Sequence, residues 1–475
     1  MPLQSLINSL VSTHLIPSHL CLNWGMVSFA SPNNTLQTKE CTLSPMKRDA
    51  KKQAKATKRR RLKAQQRIRQ QQAEAPRSIE AIHQALEDLG FPDSLVAEIE
   101  GRLQAQQSLL GKIVGLMFPT LFGARHPHEL TRVRGWDKNV PRKLLSALPK
   151  GSWLKRLRRL GLEILLSIWR HTQTQSPSTQ SRWQWRWIVD DSVFRKYGQH
   201  FALVGCWYSG QFKRPVFGID GVLLLVVIGD GKLIIPVDFA IRRPSPKGPG
   251  RKCQDKLHLT QQRLDERLAA FANRGVTLPK PMVVADSWFS DSKLMGHVAQ
   301  AHQGTLLVQG KSSYTFTLED GRKVKGSDLV KTDNWSWTQS LHAPGCRYVR
   351  LRARSRTYDQ ILLVVVDKPG DKPFYLISMS LDLAVTRLIQ AWNQRHWIEQ
   401  LFRLMKHLLA AEACQAHTED AYYGHFVLRL IAGFALFYTS RFIFKGQVTM
   451  EEIVFTLKHY WMTVDYEPFE LYAIA

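Results

Sequence analysis

The sequence predicts an α/β protein preceded by a helical region. Three observations lead there. Apolar spacing is helical up to about residue 175; short apolar strands then alternate with helical stretches as far as residue 311; and two long periodic segments without proline, 383–409 and 421–444, close the pattern. With 475 residues, 44 % of them hydrophobic, the chain can bury one large core or about two to three smaller ones.

Taken in order, residues 1–45 are loosely patterned, and Met46 opens directly into a basic run, which makes it a candidate start. Between residues 47 and 69 a dozen Lys and Arg sit among Gln and Ala, with Asp49 the only acid. Such a stretch has too few large apolar residues to build a core and is expected to be a disordered arm when free. Helical spacing follows over 78–89, 94–118 and 141–170. After Ser176 a polar linker leads into Trp183-Gln-Trp-Arg-Trp-Ile-Val-Asp-Asp191, which reads as a strand ending in acid. Strands at 222–228 and 233–241 flank Asp230-Gly231-Lys232, a strong hairpin signal because both Asp and Gly tolerate positive φ. A basic loop, 242–252, precedes a helix over 255–273, a strand over 282–286, a helix over 290–302 and a strand over 305–309. Residues 312–381 are strand-like and rich in turns. These shifts divide the chain into an extension (1–45), a basic arm (46–75), a helical domain (76–175), a core in two parts (176–311 and 382–444) split by a β-rich insertion (312–381), and a helical tail (445–475).

Charge narrows the function. Lys and Arg number 66 against 39 Asp and Glu, a formal +27, and a surplus of that size calls for a polyanion. Nucleic acid is the first candidate and an anionic membrane surface the second. The most apolar segment, 426–444, is interrupted by Arg429 and Arg441 and reads as a buried helix rather than a span. The start of the chain lacks the pattern of a secretion signal. Six scattered cysteines show no zinc or redox spacing, so they are expected to be reduced, in a cytosol-like compartment. His126 and His128 flank a proline and read as surface residues, and Gly310-Lys311-Ser312 lacks the first glycine of a phosphate-binding loop.

The chemistry-bearing residues are acids. Asp190 and Asp286 each close a predicted strand, so both can stand at one edge of a shared sheet, although acids ending strands are also ordinary turn-formers. On the helix expected over 383–409, Glu399 lies about 40° around from Arg395, Lys406 about 20° and Trp392 about 60°, so the four share one face. Trp397, Ile398, Leu401, Leu404, Met405 and Leu408 occupy the opposite, apolar face. Alone, such a stripe is also what a solvent-facing helix shows.

In these motifs the sequence resembles the bacterial insertion-sequence transposases of the DDE type, in the family usually labelled four. Their signature is Tyr, two residues, Arg, three residues, Glu, six residues, Lys; here Trp392, Arg395, Glu399 and Lys406 stand at those intervals, with Trp replacing Tyr. Ala-Asp286-Ser-Trp-Phe289 resembles the second motif, an aspartate with an aromatic three residues on. Asp190 with Ser192 resembles the first, and the doubled Asp190-Asp191 leaves Asp191 as the alternative ligand. The resemblance covers about residues 183–444. It implies an RNase H-like core with a β-rich insertion, catalytic and metal-binding roles for Asp190, Asp286 and Glu399, two Mg²⁺ ions replaceable by Mn²⁺, and DNA contacts from Arg395, Lys406 and Trp392. The implied partners are terminal inverted repeats, target DNA and a second copy of the chain, in a bacterial cytoplasm at the nucleoid. Hard cations and oxygen ligands suit each other, and two such ions can activate the nucleophile and stabilise the leaving oxygen. The alternatives are another nuclease or resolvase with the same core, or a basic DNA-binding protein without activity.

Overall fold

The computed structural model describes residues 75–463, apart from 92–94, 100–108, 176–183, 197–200, 246–252, 332–334, 341–344, 356–357 and positions 123, 125, 134, 230, 232, 369 and 371. The extension, the basic arm, Trp183, two of the three hairpin residues and most of the basic loop therefore lie outside the described residues.

Among the described residues, one sheet of twelve strands organises the fold. Its first half is β1 (Trp185–Arg195), β2 (Gly205–Ser209), β3 (Arg214–Ile228), β4 (Leu233–Arg242), β5 (Met282–Ala285) and β6 (Thr305–Gln309). β1 pairs antiparallel with β3, which pairs antiparallel with β4, while β5 and then β6 run parallel to β1. This mixed order, β4-β3-β1-β5-β6, is consistent with an RNase H-like domain. Residues 312–381 do not form a separate body. β7 (Thr315–Leu318), β8 (Lys323–Lys325), β9 (Thr338–Gln339), β10 (Arg347–Arg354), β11 (Ile361–Asp367) and β12 (Phe374–Ser378) extend the same sheet, joined to it where β12 pairs antiparallel with β6. β11, Ile-Leu-Leu-Val-Val-Val-Asp, is buried at six successive positions, the pattern of a strand covered on both faces.

The helices that matter for the site are α1 (Leu109–Met117), α2 (Ser152–Gln173), α3 (Lys256–Ala272), α4 (Ser292–His302), α5 (Val385–Asn393), α6 (His396–His407), α7 (Glu419–Tyr438) and α8 (Met450–Thr463). Their starts follow from local chemistry. The side chain of Asp255 accepts from the Leu257 amide to cap α3, and Asp291 accepts from Lys293 and Leu294 to cap α4. Neighbouring residues on β4 show which helix covers which face. Asp238 meets Arg158 of α2 and Arg267 of α3, whereas Phe239 meets Tyr423 and Phe426 of α7. α3 thus covers one face, α6 and α7 the other, and α2 runs along the β4 edge. The segment Glu419–Ile443, α7 and the turn after it, is long and apolar enough to cross a membrane, but 83 % of its most apolar 18-residue stretch is buried inside the protein, as expected for a core helix. Its Arg429 donates to the carbonyls of Leu409 and Leu116.

Two expectations need correction. β1 does not end in acid: it continues through Asp190 and Asp191 to Arg195, because its antiparallel pairing with β3 runs on to Arg195 and Gly218. What ends beside Asp190 is β5. The expected single helix over 383–409 is two helices. Gln394 donates to both Gln390 and Ala391, and Arg395, Trp397 and Ile398 each donate to the carbonyl three residues back. Those tightened bonds break the helix at 394–395, and neither proline nor glycine marks the place.

Among the described residues one hydrophobic cluster includes side chains from Ala81 to Leu457, with α2 packed against β4 and α7. Close approach of α2 and α7 depends on Gly424, where an added Cβ would stand 2.7 Å from the Trp153 indole nitrogen. That ring is buried and anchored by its hydrogen bond to the Leu145 carbonyl, so it cannot yield. Gly424→Ala is expected to cost about 1–3 kcal/mol, to be read from denaturant unfolding.

Candidate active site

The register between β1 and β5 builds the site. Val189 pairs with Ala285, the last residue of β5, so Asp190 and Asp286 follow side by side. Beyond that point β1 has β3 on one side only, and its open edge is capped by side chains. Lys406 Nζ donates to the Val193 carbonyl at 2.8 Å, and Glu412 accepts from the Arg195 amide at 3.2 Å. A cleft of about 800 Å³ opens where β1 outruns β5.

Successive β1 residues point to opposite faces and divide the acids between two partners. Asp190 faces α6. Arg395 donates to its Oδ2 through Nη2 at 2.8 Å and to Glu399 Oε1 through Nη1 at 2.5 Å, joining the two carboxylates. Asp191 faces α3, where Lys256 Nζ lies 2.7 Å from its Oδ1. Asp286 caps the turn Ser287–Phe289 by accepting from the Trp288 amide at 2.8 Å. Asp190, Asp286, Glu399, Arg395 and Lys406 all line the cleft. Trp392 does not. The helix break places it on α5, where its ring packs on Phe374 at 5.9 Å and beneath Arg395 at 5.4 Å. Trp335 and Trp337 are likewise half-buried, with Arg322 and Arg347 over their rings.

The electrostatics are those of a site short of positive charge. Burial pushes Asp190 up to about 7, and the charges of Asp286 and Asp191 add to this against Arg395. Burial also raises Asp286, opposed by Arg395 and Lys256. Arg395 is pushed down by burial, but Asp190, Glu399 and Asp286 outweigh this and raise it. The three acids supply only oxygen donors, and two of them resist ionising together; both features fit a hard divalent cation. Their carboxylates are not gathered round one point here. Among the described residues the trio of ligand atoms lying within 4.8 Å of one another is Asp265, His297 and His302, and between Asp190 and Glu399 stands the Arg395 guanidinium.

Several cleft residues escaped the sequence reading. Asp220 on β3 is buried against Arg242 at 3.2 Å, and burial, with the charge of Asp191, pushes it up to about 6. Lys256, Arg242 and Arg403 add cations to the lining. At the mouth, Tyr208 and Trp288 are each 56 % exposed, with ring centroids 6.2 Å apart. Of these only Trp288 carried a signal, since it lies inside the Asp286 motif. Asp238, by contrast, is a paired structural acid, and Gly310 is needed because a side chain there would strike Tyr375.

Residues 170–320 match the family model described as DDE superfamily endonuclease, a class that uses divalent metals and acts on DNA. The matched stretch includes Asp190, Asp191, Asp220 and Asp286 and stops before Glu399. No curated protein matches the chain.

Proposed function

We propose that this protein is a DDE transposase of the insertion-sequence type with the Tyr-Arg-Glu-Lys signature, here with Trp392 in the tyrosine's place. It cleaves transposon ends and joins the freed 3′ hydroxyl to target DNA. The reading is carried by one observation: Asp190 and Asp286 stand side by side across the β1–β5 register, and Arg395 ties Glu399 to Asp190 in the same cleft. Asp190, Asp286 and Glu399 would hold two Mg²⁺ ions, which Mn²⁺ can replace. When bound, such ions relieve charge on the phosphate and activate the attacking oxygen.

The chain's own residues do the rest. Arg395 neutralises the carboxylates of Asp190 and Glu399, and with cations bound there its guanidinium would be available to clamp a phosphate. Lys406 stays tied to β1 by one donor and offers its other protons to the backbone of bound DNA. Tyr208 and Trp288 give unpaired bases a stacking surface beside the cut. Trp288→Ala is expected to weaken binding of single-stranded or frayed ends by about 1–3 kcal/mol, measured by fluorescence anisotropy. The helical region 76–175 binds the terminal inverted repeats. Its run Lys155-Arg-Leu-Arg-Arg159 contributes Lys155 and Arg159, which face outward, while Arg156 pairs with Glu98 and Arg158 with Asp238. The synaptic complex is a dimer working at the bacterial nucleoid.

The test is incubation of the purified chain and Mg²⁺ with DNA carrying the sequences that flank its own gene. Cuts mapped to the repeat ends, with joined products, are expected. Scattered cuts without joining would make it a nuclease, and binding without any cut in Mg²⁺ or Mn²⁺ an inactive DNA-binding protein.

A further inference from the structure

Away from the cleft, α3 and α4 bring a different donor set together. Asp265 Oδ1 lies 2.8 Å from His297 Nε2 and 2.6 Å from His302 Nε2. The two imidazole planes stand at 84° with centroids 5.3 Å apart, so the two nitrogens approach that oxygen from different directions. Five residues on a regular helix would set them about 140° apart. They converge because His302 is the last residue of α4, before Gln303 turns left-handed at φ +50°. A fourth residue contacts the first histidine: Gln261 Nε2 lies 3.1 Å from His297 Nδ1. As placed, that amide donates to Nδ1 and the imidazole proton on Nε2 meets Asp265; a half-turn of the amide, which cation binding at Nε2 requires, brings its oxygen to Nδ1 to accept the proton there and frees the Nε2 lone pair, the arrangement that holds metal-ligating imidazoles.

From this geometry we infer that Asp265, His297 and His302 form a binding site for a divalent cation of the Zn²⁺ class, distinct from the carboxylate cleft. Two imidazoles and one carboxylate suit a borderline cation with tetrahedral preference and leave a fourth position for water. Ligand atoms at about 2.0–2.2 Å from such an ion lie roughly 3.3 Å apart, so side-chain rotations of about half an ångström open the present contacts to fit. The ion clamps α3 to α4. Lys256 opens α3 and the Asp286 turn precedes α4, so the clamp braces two segments that line the cleft. The donor sets sort the cations, with oxygen for Mg²⁺ in the cleft and nitrogen for Zn²⁺ here.

The experiment is titration of Co²⁺ into the chelator-stripped full chain at pH 7.5 with Mg²⁺ in excess, followed by Zn²⁺ competition and thermal melting. The expected result is one equivalent of Co²⁺ giving the strong visible bands of a low-coordinate site, displaced by Zn²⁺, with Zn²⁺ raising the melting temperature. His302→Gln is expected to lose the bands and the Zn²⁺ effect, and Gln261→Ala to weaken Co²⁺ binding by roughly ten- to a hundredfold. If His302→Gln does not fold, Asp265→Asn gives the same reading. Absence of the bands in the natural chain, their survival in these variants, or equal Zn²⁺ stabilisation of both would overturn the site and leave hydrogen-bonded His–Asp pairs only.

Discussion

Asp190→Asn is expected to reduce Mg²⁺-dependent DNA cleavage by a hundred- to a thousandfold or more, and at the same time to stabilise the metal-free chain. Both effects have one cause. Burial and two neighbouring acids hold Asp190 at about 7, so its ionised form is disfavoured in the folded protein. At pH 3 the carboxyl is largely protonated folded or unfolded, and the penalty is largely absent. As pH rises towards 7 the unfolded chain gives up this proton while the folded chain keeps it, and stability is lost. Above 7 the penalty is complete, on the order of a few kcal/mol. The neutral amide of the variant carries no such penalty. Thermal melting in EDTA should therefore show the variant level with the natural chain near pH 3 and clearly above it at pH 8. Asp191→Asn is the control for the doubled acid. Its carboxylate also lines the cleft but is committed to Lys256, and cleavage should stay within about tenfold.

Arg395→Ala should act in the opposite sense on stability. Removing the guanidinium leaves Asp190 buried beside Asp286 and Asp191 without its main countercharge. Loss of one partner from a buried pair costs about 3–5 kcal/mol. The loss should be largest at pH 8 in EDTA, shrink on adding millimolar Mg²⁺, and be partly recovered in the Asp190→Asn, Arg395→Ala double variant. Additive effects in that cycle, read from denaturant unfolding, would mean that Arg395 acts elsewhere. Cleavage should fall with either single change, because the guanidinium that replaces a cation in the resting site is also the proposed phosphate clamp.

Local signals carried much of the fold. The helix expected at 255–273 is Lys256–Ala272 with Asp255 as its cap, and the strand at 305–309 is reproduced residue for residue, because capping and apolar spacing are contained in the segment itself. What the segment could not reveal was register. Asp190 read as a strand end because apolar residues stop there, yet β1 continues, and the open edge comes from the shorter β5. The same limit hid Asp220, Arg242 and Lys256, which meet Asp190 and Asp191 only through cross-strand pairing and the placement of α3. The break at 394–395 left no proline or glycine to find, and it moved Trp392 away from the face assigned to it. His297 and His302 were invisible for a related reason: their convergence depends on the helix ending between them and the next turn.

The most direct measurement compares the full chain with its Asp286→Asn variant on the same duplex DNA, in Mg²⁺ and in EDTA, with DNA retention measured in parallel. A metal-dependent carboxylate site requires cleavage by the natural chain in Mg²⁺ alone, and an Asp286→Asn protein that binds DNA as tightly but leaves it uncut. Cleavage by the variant at the natural rate, or by either protein in EDTA, would contradict it.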